Sequence, residues 1–286
     1  MARVAVVGSY GVGLTFVSGR PPELGETVIG SDFHRDHGGK GSNQAVGAAR
    51  LGAQVSLLTA VGEDEFGDGA FELWEAEGVD AAGVQRVSLP TMAGAILVEA
   101  GGDNRIVIVP GALSALGPPH VDAFASRIAA ADVCLVQLEI PVETARRALE
   151  VARSEGTLAI LNPAPAPPEP LERAFLELAD YVTPNESEAA ALGDLSAAGR
   201  VVLTLGEAGA RTADEHVPAF AAQAVDTTGA GDAFNAAFAV ALAEGRTPVD
   251  AVRWGCAAGA HMVEHPGVIP GLPTRAELER RLLVTA

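Results

Sequence analysis

Lysine is almost missing from this chain. Lys40 is the sole lysine among 19 basic side chains, and the rest are arginines. Basic charge as a whole is also scarce, with 37 acidic residues and a net charge of −18. A nucleic-acid binder needs a basic face, so that class is disfavoured. An anionic substrate is still allowed, because local donors and a divalent cation can outweigh the global field. Only two cysteines occur, Cys134 and Cys256, far apart in apolar surroundings. They read as reduced, buried thiols rather than a disulfide framework. The opening residues MARVAVVGSYG form a strand and turn with no signal-peptide pattern, so a cytoplasmic location is expected. No apolar run approaches the ~18–20 residues that span a bilayer. Aromatic residues are few, with two tryptophans and two tyrosines. That leaves little to stack a purine acceptor, and Trp74 and Trp254 sit on expected helices as core residues. His34 and His37 fall in an expected loop, with no cysteine or carboxylate cluster to complete a zinc set.

What is present is an alternation of strands and helices. Arg3–Val7 reads as a buried first strand, followed by strands at Leu14–Val17 and Glu26–Ile29 around Pro21-Pro22. A glycine turn then opens a helix to Arg50, a strand spans Gln54–Ala60, and a helix spans Phe66–Glu77. Ala93–Val98 and Arg105–Val109 form an apolar hairpin around Gly101-Gly102-Asp103-Asn104. From Pro119 the rhythm is strictly α/β: helices at 119–130, 142–155 and 186–192 alternate with strands at 133–137, 158–161, 181–183 and 201–205. Three helices close the chain at 232–244, 248–263 and 275–283. This pattern predicts an α/β fold, a parallel sheet covered on both faces. The early strands break the rhythm and are expected to form a small lid sheet of about residues 11–35 and 91–110. The run NPAPAPPEP at 162–170 reads as a rigid surface loop.

Two glycine-rich loops carry chemistry. In Asp226-Thr227-Thr228-Gly229-Ala230-Gly231-Asp232, small residues directly precede an apolar helix. Small residues permit close backbone approach, and the unpaired N–H groups of a helix start favour an anion. Asp232 stands beside that site, able to accept a proton from an attacking hydroxyl. As a bland alternative it only complements the helix dipole, worth ~0.3–1 kcal/mol. The second loop, His37-Gly38-Gly39-Lys40-Gly41-Ser42-Asn43-Gln44, is not a P-loop: His34 and Gly41 stand where a Walker A needs glycine and Ser or Thr. Its amides, ammonium and Asn43 suit polyol hydroxyls better than a triphosphate.

Together these loops resemble the two signature segments of the ribokinase family, the PfkB carbohydrate kinases. The first extends over Gly38–Gly62 and the second over Asp226–Ala239. Leu24-Gly25-Glu26-Thr27-Val28, Gln137-Leu138-Glu139, Asn162-Pro163-Ala164-Pro165, Thr183-Pro184-Asn185-Glu186-Ser187-Glu188 and Thr204-Leu205-Gly206 match further family segments in order, so nearly the whole chain is covered. The resemblance implies a single three-layer α/β/α domain over 1–286 with a β-sheet lid, transferring a phosphoryl group from ATP to a sugar hydroxyl. It implies Asp232 as general base with Gly229, Ala230 and Gly231 as anion hole. Gly39, Lys40, Asn43 and Glu139 would hold the acceptor, and Asn185, Thr204, Gly206 and Cys256 the nucleotide. Glu188 would organise Mg²⁺ through water, while Asp226 and Thr228 would form a K⁺ site completed by the Val263–Gly271 loop. A homodimer through the apolar lid strands is also expected.

Two departures stand out. The family usually has Asn and Asp, two residues apart, contacting the sugar after the first strand; here Gly11 and Gly13 stand there. The expectation is doubt about ribose and room for a bulkier acceptor. Leu113 makes a second edge less polar. Only about eight residues separate Leu192 from Val201, where the family fits another helix, so this strand either pairs differently or has a short irregular connection. A nucleoside kinase and a non-catalytic sensor on the same fold are the alternatives. A dinucleotide-binding enzyme is disfavoured, because Gly8-x-x-Gly11-x-Gly13 reverses the fingerprint and no helix follows it.

Overall fold

The computed structural model describes residues 1–99, 101 and 103–283. In chain order the first half runs β1 (Arg3–Val7), β2 (Gly11–Ser18), β3 (Asp32–Gly38), α1 (Lys40–Arg50), β4 (Gln54–Leu58), β5 (Ala60–Gly62), α2 (Glu65–Ala76), β6 (Val79–Asp80), β7 (Gln85–Val87), β8 (Ala93–Glu99), β9 (Asn104–Val109) and α3 (Pro118–Ala130). The second half runs β10 (Val133–Gln137), α4 (Val142–Glu155), β11 (Leu158–Asn162), α5 (Arg173–Leu176), β12 (Tyr181–Val182), α6 (Glu186–Leu192), β13 (Arg200–Val201), β14 (Leu203–Thr204), β15 (Ala210–Arg211), β16 (His216–Val217), α7 (Ala230–Ala243), α8 (Pro248–Met262), α9 (Val268–Gly271) and α10 (Arg275–Leu283).

Seven strands form the central sheet in the order β13-β12-β11-β10-β1-β4-β6. All their pairings are parallel. Such a sheet needs cover on both faces, and β1 supplies it by alternation: Val4 and Val6 enter one apolar cluster, Ala5 and Val7 the other. The first cluster contains the helices α1, α2, α7, α8 and α10, and the second α3, α4 and α5. Strand order reverses direction between β1 and β10. In open α/β sheets the crevice beyond the strand ends at such a point is the usual ligand site.

Helix boundaries follow local chemistry. Asp64 caps α2 by accepting from the Gly67 N–H, and Asn185 caps α6 by accepting from the Glu188 N–H. α4 stops at Gly156, whose φ of 74° suits glycine. The central helix α7 is rich in alanine and buried along most of its length, which lets its neighbours come close. A Cβ on Gly47 of α1 would stand 2.8 Å from the Ala236 Cβ of α7. Trp74 is fully buried, as expected, with its indole N–H donating to Ser42 Oγ at 2.8 Å, and Trp254 is buried too. Both cysteines are buried free thiols.

The small separate sheet, expected as a lid, has the order β3-β2-β8-β9, with β2 and β8 parallel and the outer pairings antiparallel. The expected strand at Glu26–Ile29 is irregular; its place is taken by β3, paired from Gly11↔Gly38 to Val17↔Asp32. β3 is polar and largely exposed, so no apolar alternation announces it, and backbone pairing with β2 decides its position. His34 and His37 therefore lie on a strand rather than in a loop. They do not converge: His37 Nδ1 pairs with the Tyr10 hydroxyl at 2.7 Å and His34 Nε2 with Asp32 at 3.2 Å. The β8–β9 turn is closed by the Glu99 N–H donating to Asp103 O, and its expected member Gly102 lies outside the described residues. The strand expected at 201–205 is two strands, β13 in the main sheet and β14 in a three-stranded antiparallel sheet with β15 and β16. The β12–β13 connection is a parallel crossover that uses α6 as its helix, followed by a short irregular stretch. Among the described residues no helix is long and apolar enough to cross a membrane.

Replacing Gly47 by valine forces α1 away from α7. It is expected to destabilise the chain by about 1–3 kcal/mol, the usual cost of overpacking, read from the urea midpoint at unchanged m-value.

Candidate active site

The crevice beyond β1 and β10 is built from backbone turns that leave no space for side chains. A Cβ on Gly41 would stand 2.5 Å from Ser9 N, and one on Gly39, where φ is 87°, 2.6 Å from Tyr10 Cα. The start of α1 is thus pressed onto the turn after β1. Glu139, just beyond β10, joins these pieces: its Oε2 accepts from Ser9 Oγ and, at 2.8 Å, from the Lys40 N–H.

Across the crevice, α7 begins at Ala230 with Gly229 as its cap at φ 81°. A Cβ on Gly229 would press on Val268 at 2.8 Å, whereas Gly231 faces open space. Asp232, in the first turn, is only 6% exposed. Each oxygen of its carboxylate receives one side-chain amide from α1: Asn43 Nδ2 at 2.8 Å on Oδ2 and Gln44 Nε2 at 2.9 Å on Oδ1. Asn43 Oδ1 is buried with no hydrogen-bond partner among the described residues, so an acceptor group remains free beside the carboxylate. A carboxylate oxygen accepts more than one hydrogen bond, so Asp232 keeps capacity for a further hydroxyl.

Lys40 faces this cluster. Burial by itself lowers its pKa, but the carboxylates of Asp232, Glu139 and Glu188 outweigh burial and hold the ammonium above the usual lysine value. Glu188 behaves in the opposite way. Burial pushes its pKa up, against the Asn185 N–H and Lys40, and the nearby Asp232 charge adds to the rise.

A cavity of about 830 Å³ adjoins the start of α7. Thr227, Ala230, Phe234, Gly206 and Cys256 line it, with mostly small residues between them. Burial pushes the Cys256 thiol up to about 12, so it is a packing group there and not a thiolate. Thr204 and Asn185 are not in that lining. Thr204 Oγ1 bonds the Pro184 carbonyl, and Asn185 exchanges caps with Glu188 at 2.8 Å in both directions. Asp226 ties two loops, accepting from the Thr228 N–H at 2.9 Å and the Gly267 N–H at 3.1 Å. Among the described residues no group of three or more His, Cys, Asp or Glu is arranged to hold a metal by itself.

The model of the pfkB family carbohydrate kinases matches residues 1–275. The chain belongs to this family. It is therefore a kinase. The kinase is 40% identical to Ribokinase of Bacillus subtilis, over 99% of its own length and 100% of the relative's. It is 37% identical to Deoxyribokinase of Salmonella typhi, over 82% of its length and 84% of the relative's. Among solved structures, Ribokinase of Arabidopsis thaliana complexed with ribose and ATP superposes with a TM-score of 0.92 at 29% identity, each chain covered over 100%. Ribokinase of Thermotoga maritima gives 0.89 at 34% identity, covering 99% of the kinase and 100% of that chain.

The room expected at Gly11 is filled: a Cβ there would stand 2.4 Å from Met92 Cε and 2.9 Å from Met92 O. At Gly13 the nearest atom is Ile96 Cδ1, at 3.4 Å. Ser9, Gln44 and Met92 were not singled out from the sequence. Gln44 was visible as the residue after Asn43, but nothing local distinguishes an amide aimed at Asp232 from a helix-surface glutamine.

Because its half-buried ammonium is held above the usual lysine pKa by the charges of Asp232, Glu139 and Glu188, Lys40 is expected to resist acylation by N-hydroxysuccinimidyl acetate at pH 8.5 in the folded kinase. It should react readily in urea. Intact-mass and peptide spectrometry read both states.

Proposed function

We propose that the kinase transfers the γ-phosphoryl group of ATP to a hydroxyl of a pentose-like sugar, with Asp232 as general base. The observation that carries this is the Asp232 carboxylate, oriented by two amides and placed three residues after the glycine cap of α7. Asp232 takes the proton of the acceptor hydroxyl, the acceptor oxygen forms the new bond to phosphorus, and the bond to the ADP oxygen breaks. Phosphoryl transfer needs mainly positioning and charge stabilisation, so one carboxylate base suffices. The N–H groups of Gly229, Ala230 and Gly231 at the start of α7 favour the charge on the moving group. Gly39, Lys40, Asn43 and Glu139 surround the acceptor, and the unpartnered Asn43 Oδ1 suits a second hydroxyl of the same molecule.

The cavity beside α7 takes the nucleotide, with Gly206 and Cys256 in its wall. Its volume is within the ~300–1,000 Å³ typical of small-molecule sites. Mg²⁺ fits the donor set: Glu188 is a buried carboxylate with incompletely compensated charge, and Mg²⁺ typically uses one or two carboxylates with waters and phosphate oxygens. When bound, that ion neutralises charge on the phosphates. Asp226 and the carbonyl of Thr228, with the Val263–Gly271 loop, would hold K⁺.

Asp232→Asn is expected to lower kcat by about 10²–10⁴-fold, the usual worth of a general base, in a coupled ADP-release assay with MgATP. An unchanged rate would favour the sensor reading. On the β2 side of the site Gly11 and Gly13 bring no polar side chain, and the apolar Met92 and Ile96 pack beside them. D-ribose and 2-deoxy-D-ribose should therefore be used with kcat/KM values within about 100-fold of each other, since an apolar wall discriminates weakly over one hydroxyl.

A homodimer through the lid is part of the same proposal. Ile106, Val107, Ile108 and Val109 of β9 are each at least half exposed, at 51–67%, and a second copy would cover them. Sedimentation at micromolar concentration is expected to give a dimer and Ile108→Glu a monomer. A monomeric unsubstituted chain removes this part.

A further inference from the structure

The Asp232 carboxylate rests on a layer of buried side-chain amides. Gln44 Nε2 donates to Asp232 Oδ1 at 2.9 Å and also to Asn162 Oδ1 at 3.0 Å. Gln44 Oε1 accepts from Gln137 Nε2 at 2.6 Å. A second branch leaves Asn162, whose Nδ2 donates to Thr183 O at 3.1 Å. Thr183 Oγ1 then donates to Asn235 Oδ1 at 2.6 Å, and Asn235 Nδ2 donates to Gly231 O at 2.8 Å. The branch therefore returns to the first turn of α7, one residue before Asp232. Gln44, Gln137, Asn162, Thr183 and Asn235 are all buried, none more than 6% exposed. Their backbones belong to α1, β10, β11, the end of β12 and α7.

Two features separate this layer from amides that merely satisfy one another. The first is polarity. An ionised carboxylate only accepts, so the Gln44 nitrogen must face Asp232 and its oxygen must face Gln137. Gln137 then has to donate, and the amide dipoles align with their positive ends toward the carboxylate, each bond strengthening the next. The second feature is the tail of the chain. With its nitrogen committed to Gln44, Gln137 Oε1 is buried without a hydrogen-bond partner among the described residues. It lies 1.8 Å from where a Cβ on Gly8 would stand. A buried unpaired acceptor is unfavourable, and an arrangement chosen only for stability would avoid it. It is tolerated at the end farthest from Asp232.

The geometry points to Gln44 as a positioning residue for the phosphoryl-transfer step. Supported by Gln137 and Asn162, it holds the Asp232 carboxylate against the sheet at the angle needed to meet the acceptor hydroxyl. This rests on the general-base reading of Asp232 given above. Gln44 contacts the carboxylate and not the nucleotide cavity, so its effect belongs to turnover and not to ATP binding.

The test compares Gln44→Met, Gln137→Met and the double variant with the unsubstituted kinase, using MgATP with saturating D-ribose or 2-deoxy-D-ribose. Gln44→Met is expected to lower kcat about 10–100-fold, the scale of a small misplacement of a reacting group, with KM for ATP within about twofold. Gln137→Met is expected to lower kcat about 3–10-fold, and the double variant no more than about twofold beyond Gln44→Met, because both act through one chain. A Gln44→Met kcat within twofold of the unsubstituted value, or effects that multiply in the double variant, would overturn the inference.

Side-chain amide NMR of the ¹⁵N-glutamine-labelled kinase decides the matter independently, including the case in which Gln44→Met fails to fold. Asp232→Asn should shift one glutamine amide strongly and a second one less. If neither moves, the positioning role is lost. Should the unsubstituted kinase phosphorylate neither sugar, the functional reading fails, and the NMR result alone judges the amide layer.

Discussion

The contact between α1 and α7 is the constraint on which the site depends. The helices meet where Gly47 lies against Ala236, too close for a Cβ at residue 47. One turn toward the N-terminus of α1 are Asn43 and Gln44, and one turn toward the N-terminus of α7 is Asp232. The same approach that packs the core therefore brings two amides onto one carboxylate. It also turns two helix N-termini toward one crevice, each adding partial positive charge.

That local field reconciles an acidic molecule with an anionic co-substrate. The net charge of −18 acts over the whole surface and is screened by salt, whereas helix starts and Lys40 act at short range in a partly dry cleft. The charges of Asp232, Glu139 and Glu188 hold the Lys40 ammonium above the usual lysine value, and the Glu139 and Glu188 carboxylates accept from the Lys40 and Asn185 backbone N–H groups. The lone lysine stands between Gly39 and Gly41, whose backbones are pressed onto the turn after β1, and it brings a compact ammonium rather than a planar guanidinium there.

Much of this was legible in the chain itself. Apolar runs with helical breaks between them mark the parallel sheet, and glycines ahead of Lys40 and Asp232 mark both helix starts, since a positive φ and close backbone approach need that residue. Position of strands with a polar surface was not legible: β3 carries no alternation, and β13 and β14 look like one strand until their partners in different sheets divide them. Gly11 shows the same limit at the site. In sequence it reads as open space, yet Met92, 81 positions away, fills the volume.

The chain alone determined which residues have chemistry to offer, because carboxylates, an isolated ammonium and glycine turns are local properties of the covalent sequence. It determined the layered architecture as well, through the period of its apolar residues. Only the folded arrangement decided which of these groups meet: Asp232 with Gln44, Ser9 with Glu139, Gly11 with Met92. Those meetings join strands and helices far apart along the chain, and packing across a sheet, which no local pattern encodes, sets their distances.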